Sequence, residues 1–197
     1  MPIYNAPLAD MRFILNEVFN AEQFWQSNEK LAHLDAATAE AILEEMAKFA
    51  KNVTLPLNRS GDEHGARYAD GKVSTPEGFK AAFQQYAEGG WIGLSADEEW
   101  GGQSMPKMLT VLSDEMIFAT NPSFMLYPLL SVGAGMALNS YASQQQKETY
   151  LPKIYSGEWS GTMCLTEPHA GTDLGIIKTK AEPNADGSYN ITGTKIF

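Results

Sequence analysis

Apolar residues in the first two thirds of the chain recur at the three- and four-residue spacing of buried helix faces. After Pro7, the positions Met11, Ile14, Leu15 and Val18 predict a first amphipathic helix. A second is better marked, with Asp35 as N-cap and Ala39, Ile42, Leu43, Met46, Phe49 and Ala50 on one face; Pro56 is expected to stop it. Thr75-Pro76 reads as a cap followed by proline at the first helical position, with Phe79, Ala82, Phe83 and Tyr86 behind it and Gly89-Gly90 as the stop. A long loop, 91–106, follows, and loops of that length in a compact domain are often functional. Helices are then expected over 107–119, closed by Asn121-Pro122, and over 123–141. The second is rich in small residues, Gly133, Ala134, Gly135 and Ala137; its glycines weaken a helix and point to a close helix or ligand contact in return. Ser143 and Gln146 form a capping box for a short helix ending near Pro152.

Beyond Gly157 the period changes from helix to strand. Residues 159–166 and 179–182 favour extended chain, Asn184-Ala185-Asp186-Gly187 is a turn, and 188–192 returns, with Tyr189 and Ile191 alternating as in a half-buried antiparallel strand. Lys195-Ile196-Phe197 reads as a further strand, cut off partway. The fold class is therefore α+β: an all-α domain over 1–157, then the start of an antiparallel β domain over 158–197.

Charge narrows the partners. With 14 basic against 24 acidic residues the net charge is −10, which repels phosphate backbones and anionic lipid, so neither nucleic acid binding nor membrane attachment is expected. No apolar run approaches membrane-spanning length, and residues 1–7 lack the cationic and apolar parts of a secretory signal; a cytoplasmic protein is the expectation. His33, His64 and His169 have no metal-ligand spacing, and no metal site is expected. The single Cys164 could be imagined as a thiolate beside His169, but sequence neighbours at a strand-to-loop junction rarely point together and no third, orienting group is evident; a buried structural cysteine and a solvent-facing histidine are expected instead. Gly101, Gly102, Gly133 and Gly135 do not make a dinucleotide-binding G-x-G-x-x-G.

The informative segment is Met163-Cys164-Leu165-Thr166-Glu167-Pro168-His169-Ala170-Gly171-Thr172-Asp173. It resembles the Thr-Glu-Pro-x-Ala-Gly-Ser/Thr-Asp signature of the acyl-CoA dehydrogenase family. Gly90-Trp91-Ile92-Gly93-Leu94, Glu99-Trp100-Gly101-Gly102, Gln146-Lys147-Glu148-Thr149-Tyr150-Leu151-Pro152 with Gly157-Glu158, and Gly193-Thr194-Lys195-Ile196-Phe197 are similar to further elements of that family, in order and at matching distances. The opening Met1-Pro2-x-Tyr4-x-Ala6-Pro7-Leu8, with Asp10 and Phe13, resembles the long branch that includes the 3-methylmercaptopropionyl-CoA dehydrogenases.

The resemblance implies an N-terminal α domain running into a β-barrel-like middle domain, and a longer enzyme of which this chain is the front part. It implies FAD as cofactor, an acyl-CoA substrate, an electron-transfer flavoprotein as acceptor, and a homodimer or homotetramer. It places Met163, Leu165 and Thr166 on the flavin, Phe197 by the flavin ring, and Gly171 and Thr172 beside coenzyme A. The family's base, a carboxylate from a C-terminal bundle, matches no residue here. Without the resemblance, Met163, Leu165 and Phe197 are ordinary core positions, Thr166 and 170–172 ordinary turn chemistry, and Leu126, Leu129, Leu130 and Val132 core rather than an acyl-tail wall. An acyl-CoA oxidase or flavin monooxygenase on the same scaffold, and a non-catalytic helical interaction module, stay open as alternatives.

Overall fold

The computed structural model describes residues 3–196. The chain divides into two compact units, Met1–Gly161 and Thr162–Phe197.

In the first unit, α1 (Leu8–Phe13) runs into a π-helical turn over Ile14–Val18. Met11 and Leu15 are buried, but Ile14 and Val18 face solvent, because the wider turn carries them off the stripe the periodicity predicts. The short α2 (Ala21–Gln26), which the spacing did not reveal, buries Trp25 to 1% exposure. Asp35 caps α3 (Ala36–Phe49) as expected, its Oδ1 accepting the Thr38 N–H at 2.7 Å. Pro56 does not end this helix. A π turn over Ala50–Thr54, in which the Leu55 N–H donates to the Ala50 carbonyl five residues back, leads straight into α4 (Leu55–His64). The wider turn takes in a proline that lacks an N–H and would crowd a regular α turn.

This junction is fastened from afar. The Thr54 and Thr120 hydroxyls lie 2.7 Å apart, and the buried Asn121 donates from Nδ2 to the Thr54 carbonyl at 3.1 Å. The Asn121 Oδ1 also accepts the Phe124 N–H, so one side chain caps α7 (Pro122–Tyr141) and holds the α3–α4 corner. β1 (Arg67–Ala69) and β2 (Lys72–Ser74) form an exposed hairpin around Asp70-Gly71, both at positive φ. α5 (Phe79–Glu88) starts after Gly78, not at Thr75-Pro76, because the left-handed Gly78 (φ 87°) is its cap and Pro76 belongs to the preceding turn.

The loop 91–106 is folded tightly on itself: the N–H groups of Gly102, Gln103, Ser104 and Met105 donate to the carbonyls of Asp97, Gly93, Ala96 and Leu94. α6 (Lys107–Thr120), α7 and α8 (Gln144–Tyr155) complete the unit, and the Ser143–Gln146 capping box is present. α8 runs through Pro152 to Tyr155, three residues beyond the predicted end, although the proline has no N–H to give the Glu148 carbonyl. The small residues of α7 are partly explained. A Cβ on Gly135 would lie 2.7 Å from the Tyr155 ring of α8, whereas one on Gly133 would meet open space.

α6 also holds Asp114, half-buried, whose carboxyl is pushed up to about 6 by desolvation, with Lys107 acting in the opposite direction. A carboxyl raised in the fold favours the protonated native state. Stability therefore falls as pH rises from roughly 4 to 6, and the penalty is complete above that. Asp114→Asn is expected to stabilise the protein at pH 7.5 by about 1 kcal/mol in urea unfolding, allowing for the group's partial solvent screening, with no gain at pH 4. A gain of equal size at both pH values would show that charge burial is not its source.

The second unit contains β3 (Lys180–Pro183) paired antiparallel with β4 (Tyr189–Thr192), Lys180 opposite Thr192 and Pro183 opposite Tyr189. Tyr189 and Ile191 are exposed and not half-buried, because no second layer covers this two-stranded ribbon among the described residues. The strand expected over 159–166 forms no ladder, and neither do Lys195 and Ile196; Phe197 lies outside the described residues. Cys164 is exposed, not a buried structural cysteine: a segment without ladder partners encloses nothing. No helix among the described residues is long and apolar enough to cross a membrane.

Candidate functional site: the Met163–Asp173 turn

The residues singled out by sequence lie on one segment of the second unit. Met163 is 62% and Leu165 37% exposed, Thr166 is half-buried, and Gly171 and Thr172 are exposed. For Met163 and Leu165 the ordinary core reading therefore fails. Their backbone is also unspent: within the unit, and among the described residues, the N–H groups of Met163 to Thr166 have no hydrogen-bond partner. Exposed apolar side chains beside free peptide groups form a surface that can pair with the polar edge of a flat, largely apolar ligand.

A tight turn follows. Glu167 and Ala170 exchange backbone hydrogen bonds at 2.9 and 3.1 Å, and Ala170 is buried. Gly171 has neither a left-handed φ nor any atom within 4 Å of a built Cβ, so nothing in the local fold demands glycine there. Asp173 Oδ1 then accepts the Gly175 N–H at 2.9 Å, starting a short 3₁₀ turn over Leu174–Ile176. His169 Nε2 lies 3.1 Å from the Ile176 carbonyl and 3.4 Å from Glu167 Oε2. It is a brace of this turn as well as a partly exposed residue.

The centre of the turn is Glu167, which sequence reasoning quoted within the motif without giving it a role. Its carboxylate accepts the N–H groups of Lys178 (2.8 Å) and Thr179 (2.9 Å) and the Lys195 ammonium (2.9 Å). Its carboxyl is held well below the usual carboxylate range, first by the Thr179 side chain, then by the Lys178 N–H and by Lys195. The Thr179 hydroxyl makes no hydrogen bond of good geometry, so the ionised state rests on the three N–H donors. Lys195 also donates to the Leu165 carbonyl at 2.8 Å, and the Ile196 N–H to the Thr166 carbonyl at 3.0 Å. No sequence signal pairs residues 28 apart in this way.

In the helical unit, Leu129 and Val132 pack against the core, whereas Leu126 is exposed. A groove of about 740 Å³ lies between Phe79, Phe83, Phe124 and Tyr127, and involves none of the residues above. No cluster of three metal-ligating side chains occurs among the described residues.

Residues 36–158, more than half of the chain, match the family model "Acyl-CoA dehydrogenase, N-terminal domain". The chain belongs to the acyl-CoA dehydrogenase family. It is 40% identical over 194 residues to the 3-methylmercaptopropionyl-CoA dehydrogenase of Ruegeria pomeroyi, covering 98% of this chain and 33% of that protein. A butyryl-CoA dehydrogenase of Syntrophomonas wolfei is 32% identical over 198 residues, covering 98% and 32%. Among solved structures, an acyl-CoA dehydrogenase complexed with FAD from Bacillus anthracis superposes with a TM-score of 0.69 at 26% identity, covering 82% of this chain and 27% of that one. The acyl-CoA dehydrogenase resemblance read from the motifs and the helical-then-β order of the fold both stand. The chain spans about a third of the length of the curated relatives it matches.

Proposed function

We propose that the chain is the N-terminal part of an FAD-dependent acyl-CoA dehydrogenase, which introduces an α,β double bond into an acyl-CoA thioester and passes the electrons to an electron-transfer flavoprotein. The observation that carries this reading is the Met163–Thr166 edge, apolar, exposed and with unpaired N–H groups, in a chain of this family. FAD, when bound, supplies the hydride acceptance that no side chain offers. The residues present fit such a group. Met163 and Leu165 offer apolar surface, and Thr166 a hydroxyl for one oriented hydrogen bond. Gly171, unneeded by the local fold, leaves room for a substrate to approach the backbone, with the Thr172 hydroxyl beside it. Phe197 is assigned to the flavin ring on its motif alone.

In this reading 1–157 is the helical domain and 158–197 the start of the middle β domain. The base that takes the α proton comes from a longer protein, which assembles as a homodimer or homotetramer in the cytoplasm. The test is direct. Full-length protein should take up FAD, show its visible band, and lose that band when acyl-CoA is added without oxygen. Thr166→Ala should weaken FAD binding about tenfold, the worth of one hydrogen bond in a partly desolvated site. A wild-type protein that neither takes up FAD nor reduces it with any acyl-CoA refutes the proposal. Turnover with an artificial acceptor but not with oxygen separates a dehydrogenase from an oxidase or monooxygenase.

A further inference from the structure

We propose that Glu167 and Lys195 are positioning residues for the cofactor edge, a role that rests on the flavin reading above and names the device that shapes that site. The segment 160–166 has no ladder of its own, so something else must hold its backbone. The contacts that do so converge on this pair. Glu167, with its side chain 2% exposed, is tied to the peptide N–H groups of residues 178 and 179, while Lys195, 22% exposed, reaches both the carboxylate and the Leu165 carbonyl. The adjacent Ile196 N–H takes the Thr166 carbonyl. Three stretches of chain thus meet at one ion pair, and Leu165 and Thr166 have their carbonyls occupied while the N–H groups of Met163 to Thr166 stay available.

The pair also sets local charge. A buried carboxylate next in sequence to Thr166 would oppose electron uptake by anything bound there; the ammonium at 2.9 Å cancels it. Removing only the lysine should therefore do two things that a loss of packing would not do together. It should loosen the edge, and it should make a bound flavin harder to reduce.

The experiment uses full-length protein and FAD. Lys195→Met is expected to weaken FAD binding at least tenfold and to shift the midpoint potential of bound flavin to more negative values. Lys195→Arg should restore both. The double variant Glu167→Gln/Lys195→Met contains no lone buried charge and so should fold. It is expected to regain the wild-type potential while still binding FAD more weakly than wild type. If Lys195→Met binds FAD as tightly as wild type with an unchanged potential, the positioning role is wrong although the flavin reading stands. If Lys195→Arg restores neither property, the role is equally overturned. If wild-type protein takes up no FAD at all, the flavin reading itself has failed and this role falls with it.

Discussion

Gly102→Ala is expected to destabilise the helical unit by about 3 kcal/mol, whereas Gly101→Ala, one residue earlier, should cost roughly 1 kcal/mol. The two glycines look equivalent in sequence and are not equivalent in space. A Cβ on Gly102 would lie 2.1 Å from the Ala96 carbonyl oxygen and 2.4 Å from its carbon, so backbone would have to move. That oxygen already accepts the Ser104 N–H at 2.8 Å, and a shift would break the internal bonding of the 91–106 loop. Gly101 needs only its left-handed φ of 83°, with nothing within 4 Å of an added Cβ. Thermal unfolding of both variants checks the contrast. For a unit of this size the larger loss lowers the melting temperature by about 6–12 °C, and equal shifts would mean that the close approach is absent.

Trp25→Ala should be comparably damaging, at about 4 kcal/mol in urea unfolding, because it empties the largest fully buried side chain of the helical core. Trp25→Phe should behave quite differently. The indole Nε1 is buried with no hydrogen-bond partner among the described residues, so phenylalanine removes an unsatisfied donor while keeping most of the ring. The two effects offset each other, and the change should stay within about 1 kcal/mol of wild type. A Trp25→Phe loss approaching that of alanine would imply that the indole N–H has a partner after all.

Where a helix carries a long apolar stripe and a cap, the sequence announced it: Asp35 and the face from Ala39 to Ala50, or Ser143 with Gln146, appear in the fold as read. The misreadings have particular causes. Pro56 looked like a stop because a regular helix cannot take it in, and only a π turn backed by Thr120 and Asn121, far along the chain, makes it tolerable. Helix α2 is six residues long, too short for any period to show, and owes its place to Trp25. The β1–β2 hairpin had an Asp-Gly turn signal but strands of only three residues. Tyr189 and Ile191 alternate correctly, yet alternation states which side an apolar face lies on and not whether anything covers it.

The site shows the same division. The family motif singled out Met163, Leu165, Thr166, Gly171 and Thr172 as candidates, because they lie in one unbroken stretch of chain that can be compared residue by residue. Glu167 and Lys195 meet only in the fold, across 28 positions, and no local pattern pairs them. The motif glycines contain a further lesson. A Cβ on Gly93 would come within 3.3 Å of the Gly102 Cα and 3.4 Å of the Tyr155 Cβ, so two of the elements that mark the family are packed on each other. Their glycines serve the scaffold.

The Arg67–Ser74 ribbon is exposed on both faces, yet Val73 and Ser74 help line the groove beside Phe79 and Tyr127. One wall of that hollow is thus free of the constraints that bind the other. Insertions, deletions or a change of side chain there can re-cut the hollow's outline at almost no expense to the folded core. The shape of the hollow can thus be altered from this side without repacking the helices.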